Sequence, residues 1–409
     1  MAKKSLHILL IHQAFVGLEE AGGTRHYEFA QHLAERGHKV TVIASPVSYL
    51  TGQNTSSKET SRQIPNLTVL RAGALGSYHR SFFFRLINFL SFSISSFFLG
   101  ARVRHVDLVW GTSPPIFQAA SAWALARIKR VPLLFEVRDL WPAFAVAVGI
   151  LRSRPLIAAT EWLERFLYRR ADRIVLNSPG FLQHVQARGG DQISIVPNGA
   201  DASMFNPRAD GAAFRKLHQL ENHFVVLYAG AHGISNDLGV VLEAANLMKK
   251  EKQIAFVFVG DGKEKTRLQS QAVQMNMENV HFLPPLPKAQ MAEALAAADA
   301  CLAILKPIEL YATVYPNKVF DYMAAGRPVL LAIDGAMREV VDRAGAGVFV
   351  PPGDAGALAE EIRKLAADPV AARRMGKAGR AYLEKHFDRA ELANQMEKVI
   401  LKTAQKQQG

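Results

Sequence analysis

The sequence is poor in cysteine, with Cys301 alone among 409 residues. One thiol cannot form an internal disulfide, which excludes the class of small secreted proteins that such bonds hold together. The first apolar run, in MAKKSLHILLIHQ, is too short for the hydrophobic region of a signal peptide. We therefore expect a cytoplasmic protein.

Several site motifs are also missing from the sequence. No DxD lies between apolar runs, no histidines or cysteines cluster at metal-ligand spacing, and no GxGxxG follows a predicted strand. We therefore expect no metal, no cofactor and no dehydrogenase. Zinc fingers, RNP-like aromatic motifs and basic repeats are absent too, so nucleic acid is not an expected partner.

What the chain does have is the composition of a globular protein, with 49% hydrophobic and 21% charged residues. Its formal net charge of +13 is unevenly distributed, because residues 1–200 hold 23 of the 49 basic residues but 12 of the 36 acidic ones. A positive first half favours an anionic partner such as a membrane surface or a phosphorylated substrate.

Residues 82–101, FFFRLINFLSFSISSFFLGA, contain seven of the 23 phenylalanines. Helical spacing predicts an apolar stripe, formed by Phe83, Leu86, Ile87, Leu90, Ile94, Phe97 and Phe98. Arg85, Asn88 and four serines disfavour a membrane-spanning helix. Two interpretations remain: a core helix packed on a sheet, or a helix that rests on the anionic inner leaflet through its apolar side and basic flanks. The candidate membrane or acceptor contacts are Phe83, Leu90, Phe97 and Arg102.

Short apolar runs alternate with amphipathic segments along the chain, a pattern typical of a mostly parallel sheet covered by helices on both faces. The alternation restarts after the Pro/Gly/Asn-rich segment 197–207, PNGADASMFNP, which predicts a domain boundary and a hinge. The sequence thus predicts an α/β protein with two doubly wound domains facing a cleft. The predicted divisions are residues 1–200, residues 201–386 and a C-terminal helix in residues 387–409.

Glycine-rich loops follow three predicted strands. Gly22 and Gly23 precede a predicted helix, while YAGAHG (228–233) and VGDGKEK (259–265) follow two strands of the second domain. Ligands of open α/β sheets bind at the carboxyl ends of strands, where glycine lets backbone amides approach an anion. These loops predict a nucleotide pocket. Ordinary turn glycines are the alternative interpretation.

The strongest motif is YPNKVFDYMAAGRPVLLA, residues 315–332. Pro316 is expected to start a helix. Lys318 lies in the first turn, where a cation is unfavourable for the helix dipole unless an anion binds there. Asp321 follows on nearly the same face. A cation for phosphate and a carboxylate for ribose hydroxyls suit a nucleotide diphosphate.

Six segments then carry a family resemblance: AGGTRHYEFAQHLAERGHKVTVIA, TSPP, EVRDLWP, ADRIVLNSPGF, VPNGAD and PNKVFDYMAAGRPV. The sequence resembles the family 4 glycosyltransferases of the GT-B fold. It is similar to the bacterial branch that builds O-antigen, capsule and exopolysaccharide, including the L-fucosamine transferases. The resemblance implies two Rossmann-like domains, a nucleotide sugar in the second domain, an acceptor in the first, and a last helix that crosses back to the first domain.

The resemblance also implies roles for single residues of the second domain. Asp321 falls at the second acid of the family's E-x7-E motif, which holds the donor ribose, and Thr313 stands where the first acid would be. Ala231 and Asn236 replace the Arg and Lys with which many relatives grip the diphosphate, so Lys318 becomes the diphosphate cation and a predicted catalytic residue. The full predicted donor-binding set is Gly22, Gly23, Gly230, His232, Gly233, Asp261, Thr313, Asn317, Lys318 and Asp321.

In the first domain, EVRDLWP lies where relatives carry a histidine near the reaction centre. Arg138 occupies that position and forms the predicted catalytic pair with Asp139. The guanidinium would contact a phosphate or an acceptor oxygen, and the carboxylate would order the loop or accept a hydroxyl proton. The alternative is a buried ion-pair cluster of Glu136, Arg138 and Asp139.

Together these features predict a metal-independent, retaining enzyme that moves a sugar from a nucleotide-diphosphate sugar to a polyprenyl-diphosphate-linked saccharide. The donor would be UDP-linked by family habit, with an N-acetylated amino or deoxy sugar. The enzyme would be peripheral on the inner face of the cytoplasmic membrane. Two alternatives stay open: a nonhydrolysing nucleotide-sugar epimerase of the same fold, and a noncatalytic nucleotide-sugar-binding scaffold.

Overall fold

The computed structural model describes residues 5–47, 64–75 and 82–405. The chain divides into two compact units. The first comprises Met1–Gly17, Gly23–Pro197 and Ala390–Gly409, and the second comprises Leu18–Gly22 and Asn198–Arg389. The division after Pro197 coincides with the start of the Pro/Gly/Asn-rich segment.

The first unit contains a seven-stranded parallel sheet in the order β3-β2-β1-β4-β5-β6-β7. Its central strands are continuous runs of buried aliphatic and aromatic residues, as expected of a sheet covered on both faces. The strands are β1 (His7–Ile11), β2 (Lys39–Ala44), β3 (Leu67–Arg71), β4 (Leu108–Ser113), β5 (Leu133–Val137), β6 (Arg173–Leu176) and β7 (Ile193–Ile195).

Six helices connect these strands or follow them. They are α1 (Arg25–Glu35), α2 (Phe82–Arg102), α3 (Ile116–Lys129), α4 (Ala143–Ala147), α5 (Arg154–Arg170) and α6 (Leu182–Ala187). The edge strand β7 and the short helices α4 and α6 were not predicted from the sequence, because segments of three to six residues are too short to show a hydrophobic period.

The buried face of helix α2 is opposite to the face that its apolar stripe predicts. Asn88, Phe92 and Ser96 are buried, and Gly100 lies against α3, where an added Cβ would come within 2.6 Å of Leu125. Hydrogen bonds explain the inward polar face, since Asn88 Oδ1 accepts from Gln13 Nε2 at 2.8 Å. Helix α2 thus packs against the core, as the first of the two interpretations expects, but the predicted stripe is not its buried face.

The outward side of α2 is apolar. Leu90, Ile94 and Phe98 follow one another at four-residue spacing, and Ile94 and Phe98 are each 61% exposed. By length and composition alone, Phe84–Arg102 would suffice to cross a membrane. Of the predicted membrane or acceptor contacts, Leu90 and Arg102 are exposed, Phe97 packs partly against the core, and the side chain of Phe83 lies outside the described part of the structure.

The second unit contains a six-stranded parallel sheet in the order β10-β9-β8-β11-β12-β13. The strands are β8 (Phe224–Ala229), β9 (Ile254–Val259), β10 (Val280–Leu283), β11 (Ala300–Ile304), β12 (Val329–Ala332) and β13 (Gly347–Phe349). Its helices are α7 (Ala212–Leu217), α8 (Leu238–Leu247), α9 (Lys265–Gln274), α10 (Lys288–Ala296), α11 (Asn317–Ala324), α12 (Ala336–Ala344), α13 (Ala355–Ala367) and α14 (Pro369–His386).

The last helix, α15 (Arg389–Gln405), packs on the core of the first unit through Leu392, Met396 and Ile400. Its buried Glu397 accepts from Arg36 Nε at 2.8 Å. The helix that ends the chain therefore belongs to the same unit as the strand that begins it. With two doubly wound parallel sheets, the predicted α/β class is confirmed.

Candidate functional site

Two glycine loops are in contact at the carboxyl edge of the second unit's sheet. Gly230 follows β8 and Gly260 follows β9, and a Cβ on Gly260 would lie 1.9 Å from the carbonyl oxygen of Gly230. A larger residue at 260 would therefore push the loops apart. Hydrogen bonds join the loops, because His232 N donates to Asp261 O at 2.7 Å and Glu264 N donates to His232 O at 2.9 Å. The predicted residues Gly230, His232 and Asp261 thus lie together.

Lys318 reaches this loop layer from the first turn of α11. Its Nζ donates to the hydroxyl of Tyr228 at 2.7 Å and lies 3.3 Å from Asn236 Oδ1. A Cβ on Gly230 would be 3.1 Å from the same amine. Burial lowers the pKa of Lys318 to about 7. Within the described residues the amine has neutral partners only, so a bound anion would stabilise its charged form.

His232 lies beside the amine of Lys318 and is surrounded by aromatic rings. The ring is buried against Tyr228, Phe258 and Phe282, and neither ring nitrogen has a hydrogen-bond partner in the described ranges. Burial, helped by the charge of Lys265, lowers the pKa of His232 to about 4. The imidazole is therefore neutral at physiological pH and can donate one hydrogen bond and accept another.

Asp321 is held by a second lysine, one that the sequence analysis missed. Lys288 Nζ, at the start of α10, donates to Asp321 Oδ1 at 2.6 Å, and both side chains are largely buried. An ion pair at this position fixes the direction of the carboxylate. Any ribose hydroxyl must share that carboxylate with Lys288.

The remaining predicted donor residues are Gly22, Gly23, Gly233, Thr313 and Asn317. Thr313 Oγ1 donates to Leu310 O at 2.7 Å, and Asn317 Oδ1 is buried without a partner in the described structure. Gly233 leads into a short 3-10 turn after the β8 loop. Gly22 and Gly23 are exposed in the turn between β1 and α1.

The first unit has its own polar cluster at the carboxyl edge of its sheet. Glu136, at the end of β5, is fully buried and accepts from Arg25 Nε at 2.9 Å, His26 Nε2 at 2.8 Å and Trp110 Nε1 at 3.1 Å. Although burial acts to raise it, the neighbouring His26 and Arg25 hold the pKa of Glu136 well below its ordinary value. The expected ion-pair cluster exists, but the cation in direct contact with Glu136 is Arg25. Burial lowers the pKa of His26 to about 4, so this ring is a neutral hydrogen-bond donor, and Arg138 acts on Glu136 only through its charge.

Arg138 and Asp139 lie beside this cluster. Arg138 Nη1 is 3.4 Å from His12 Nε2, and the His12 ring stacks on His26 with centroids 3.9 Å apart. Burial lowers the pKa of His12 far below its ordinary value. Burial raises the pKa of Asp139 to about 7, despite the opposing charge of Arg138. The carboxyl group can therefore exchange a proton near neutral pH.

Arg25, His26 and His12 were not predicted from the sequence, although a signal was present. His12 directly follows β1, and Arg25 and His26 open the helix after the glycine turn, so both positions are at the carboxyl edge. The structure presents no group of three or more His, Cys, Asp or Glu arranged for a metal ion within its described ranges.

Two family models match the chain. The model described as "Glycosyl transferase 4-like domain" matches residues 21–199, and "Glycosyl transferases group 1" matches residues 223–368. The chain is 25% identical over 386 residues to the putative colanic acid biosynthesis glycosyl transferase of Escherichia coli K12, covering 90% of this chain and 93% of that relative. It is 27% identical over 275 residues to a probable glycosyltransferase of Pseudomonas aeruginosa, covering 65% and 68% of the two chains.

Solved structures share the fold across the whole chain. Sucrose-phosphate synthase from Thermosynechococcus elongatus superposes with a TM-score of 0.76 at 22% identity, covering 97% of this chain and 98% of the other. The Anabaena protein HepE, solved in complex with UDP-glucose, gives 0.74 at 17% identity and covers 97% and 100%. WaaG, a glycosyltransferase involved in lipopolysaccharide biosynthesis, gives 0.71 at 16% identity and covers 96% and 99%. The two doubly wound sheets and the two family models show that this chain is a glycosyltransferase with the GT-B fold.

Proposed function

We propose that the enzyme transfers a sugar, with retention of anomeric configuration, from a UDP-sugar to a polyprenyl-diphosphate-linked saccharide. Lys318 is the observation that carries the proposal. It is a buried amine in the first turn of a helix, hydrogen-bonded to neutral groups only and close to the Gly230 loop. A diphosphate would provide the anion that this arrangement lacks.

The donor proposal rests on this diphosphate site and on the relatives. HepE was solved in complex with UDP-glucose. The resemblance of the sequence to the L-fucosamine transferases favours an amino or deoxy sugar on the same nucleotide. Asp321, oriented by Lys288, would accept hydrogen bonds from the ribose hydroxyls. The neutral ring of His232 would complete the polar contacts of the donor.

The proposed chemistry requires stabilisation of the departing diphosphate without a metal. Lys318 and the N-terminus of α11 would supply preorganised positive potential at the leaving group. In a front-face mechanism the leaving phosphate helps to deprotonate the acceptor hydroxyl. Arg138 would contact an acceptor oxygen, and Asp139, whose pKa is near neutrality, would order the loop or accept the proton.

A thermal-shift screen against UDP, GDP, ADP, TDP and CMP, with and without a chelator, tests the donor proposal. We expect stabilisation by UDP alone, unchanged by the chelator. A shift in melting temperature with another nucleotide would overturn the proposed UDP donor. A shift that requires metal would overturn the proposed metal-free mechanism. UDP release from a UDP-sugar only when a lipid-linked acceptor is present would support transfer over epimerisation. Binding without any turnover would favour a scaffold.

The membrane part of the proposal rests on the exposed apolar row of α2 and its basic flank at Arg102. Replacing Ile94 and Phe98 with serine should release the enzyme from anionic vesicles while its melting temperature stays unchanged. Val273→Ser/Val370→Ser is the matched control, since both of these residues are also exposed. Equal vesicle binding by the two double variants would contradict a docking role for α2.

A further inference from the structure

The loop after β5 carries an aromatic side chain next to the two catalytic candidates of the first unit. Arg138 and Asp139 open this loop and Trp141 follows them, and all three residues are partly exposed. Leu140 is fully buried and anchors the loop in the core. The backbone is fixed as well, because Arg138 N donates to Ser113 O at 3.3 Å. Trp141 N in turn donates to Asp139 O at 3.0 Å, so Trp141 is held beside the proposed reaction centre.

The indole of Trp141 has a ring face that its aromatic neighbour leaves free. Phe117, in the first turn of α3, contacts the indole with ring centroids 5.4 Å apart and an interplanar angle of 67°. In such an edge-to-face contact the edge of one ring meets one face of the other, so Phe117 leaves at least one face of the indole uncovered. The Phe117 carbonyl oxygen accepts from Ser93 Oγ at 2.6 Å. Contacts with α2 and with the β5 loop therefore hold this aromatic pair in place.

The indole N–H of Trp141 is a second observation. Its Nε1 has no hydrogen-bond partner in the described ranges and does not belong to the buried unpartnered atoms, so it is open to solvent. Trp110, by contrast, is fully buried and donates its indole N–H to Glu136 Oε2 at 3.1 Å. A tryptophan that serves packing alone is expected to resemble Trp110. Trp141 instead presents an apolar ring face together with a free donor.

We propose that Trp141 is the platform on which the sugar ring of the acceptor binds. One face of a pyranose consists mainly of C–H groups, whose partial positive charge suits the negative face of an aromatic ring. A hydroxyl oxygen of the same sugar can accept a hydrogen bond from the free indole N–H. Arg138 and Asp139 would then meet the acceptor hydroxyl that reacts. This inference rests on the proposed function, which uses the first unit for the acceptor, and it adds the residue that recognises the acceptor sugar.

Fluorine NMR of the full chain labelled with 5-fluorotryptophan tests the platform. The chain has four tryptophans, Trp110, Trp123, Trp141 and Trp162, and the variant Trp141→Phe identifies the signal of Trp141. The probes are methyl β-glucoside, methyl β-galactoside and methyl α-mannoside, each added in the presence of UDP. We expect at least one of them to shift the Trp141 signal. Trp162, which is 63% exposed, is the internal control for nonspecific contact.

Ligand-observed NMR on variants separates sugar recognition from packing. Trp141→Ala should weaken binding of the shifting glycoside about tenfold, because it removes the ring face and the N–H together. Trp141→Phe keeps a ring against Phe117 but removes the N–H, so its affinity should lie between those of wild type and Trp141→Ala. Trp162→Ala is the matched control and should bind the glycoside as wild type does. Equal binding by wild type and both Trp141 variants would contradict the platform.

The proposal is also overturned if none of the glycosides moves the Trp141 signal, or if the Trp162 signal moves equally. A Trp141 signal that moves only with UDP-glucose would assign the indole to the donor sugar instead. The thermal shift with UDP is measured on the same samples. A protein that UDP stabilises, but whose Trp141 signal stays fixed, contradicts this inference alone. A Trp141 signal that moves with a glycoside, in a protein that UDP does not stabilise, contradicts the donor proposal alone.

Discussion

Lys318 should take up a proton when a nucleotide diphosphate binds. In the free protein, burial lowers the pKa of this amine to about 7 from an ordinary value of 10.5. A diphosphate beside the amine favours its charged form and should return the pKa toward the ordinary value. The amine therefore gains charge on binding wherever the pH exceeds about 7.

The size of this uptake follows from the two pKa values. At pH 8 the free amine carries about 0.1 proton and the bound amine carries close to one, so binding should take up about 0.9 proton. At pH 6 the free amine is already protonated, and the uptake should fall to about 0.1 proton. The same linkage weakens UDP binding by about fivefold between pH 7 and pH 8, and by close to tenfold for the next pH unit.

Titration calorimetry of UDP at pH 8, in two buffers with different ionisation enthalpies, measures the uptake directly. Lys318→Met should abolish it, whereas Lys249→Met, an exposed lysine of the same unit, should leave it unchanged. The reasoning is refuted if wild type binds UDP at pH 8 without proton uptake, or if Lys318→Met takes up as much.

Three further predictions concern single carboxylates. If Asp139 acts as a base, kcat/KM should rise with pH through about 7, and Asp139→Asn should lack this rise in a pH–rate profile. Glu136→Gln leaves Arg25 buried without its carboxylate, so urea denaturation should show a loss of about 3–5 kcal/mol. Because the folded pKa of Glu136 is depressed, its contribution to stability is present above pH 4.5 and disappears as the pH falls further. Asp321→Ala should raise the donor KM about tenfold, and an unchanged KM would reduce the carboxylate to a structural partner of Lys288.

Local features of the second unit were predictable because they depend on neighbouring residues. Pro316 precedes α11 as expected, and Lys318 falls in the first turn of that helix. The glycine loops also follow their strands as predicted, since a buried apolar run ending in glycine marks a strand end.

The partners of the polar groups were not predictable in the same way. Asp321 pairs with Lys288 across 33 positions, and Glu136 pairs with Arg25 and His26 across more than a hundred. Such pairs depend on which strands become neighbours in the sheet. Periodicity identifies a helix or a strand, but it does not state which distant side chain meets each carboxylate.

The predicted orientation of α2 was wrong for a related reason. Its apolar stripe predicted the buried side of the helix. Asn88 instead faces inward, where its Oδ1 accepts from Gln13, and Ser93 Oγ donates to Phe117 O at 2.6 Å. Phe92 could therefore face inward together with small and polar residues, and this face packs closely on α3. Leu90, Ile94 and Phe98 were left on the surface.

Because the apolar row of α2 faces outward, the packing of this helix and the hydrophobicity of its exposed surface depend on different residues. Folding depends on the inward row of Asn88, Phe92, Ser96 and Gly100, whereas the proposed membrane contact would depend on the outward row of Leu90, Ile94 and Phe98. Mutations of the outward row could then change the proposed membrane contact while the domain still folds. An engineered chain with a hydrophilic outward row should accordingly remain folded and stay dispersed at concentrations where the natural surface would self-associate.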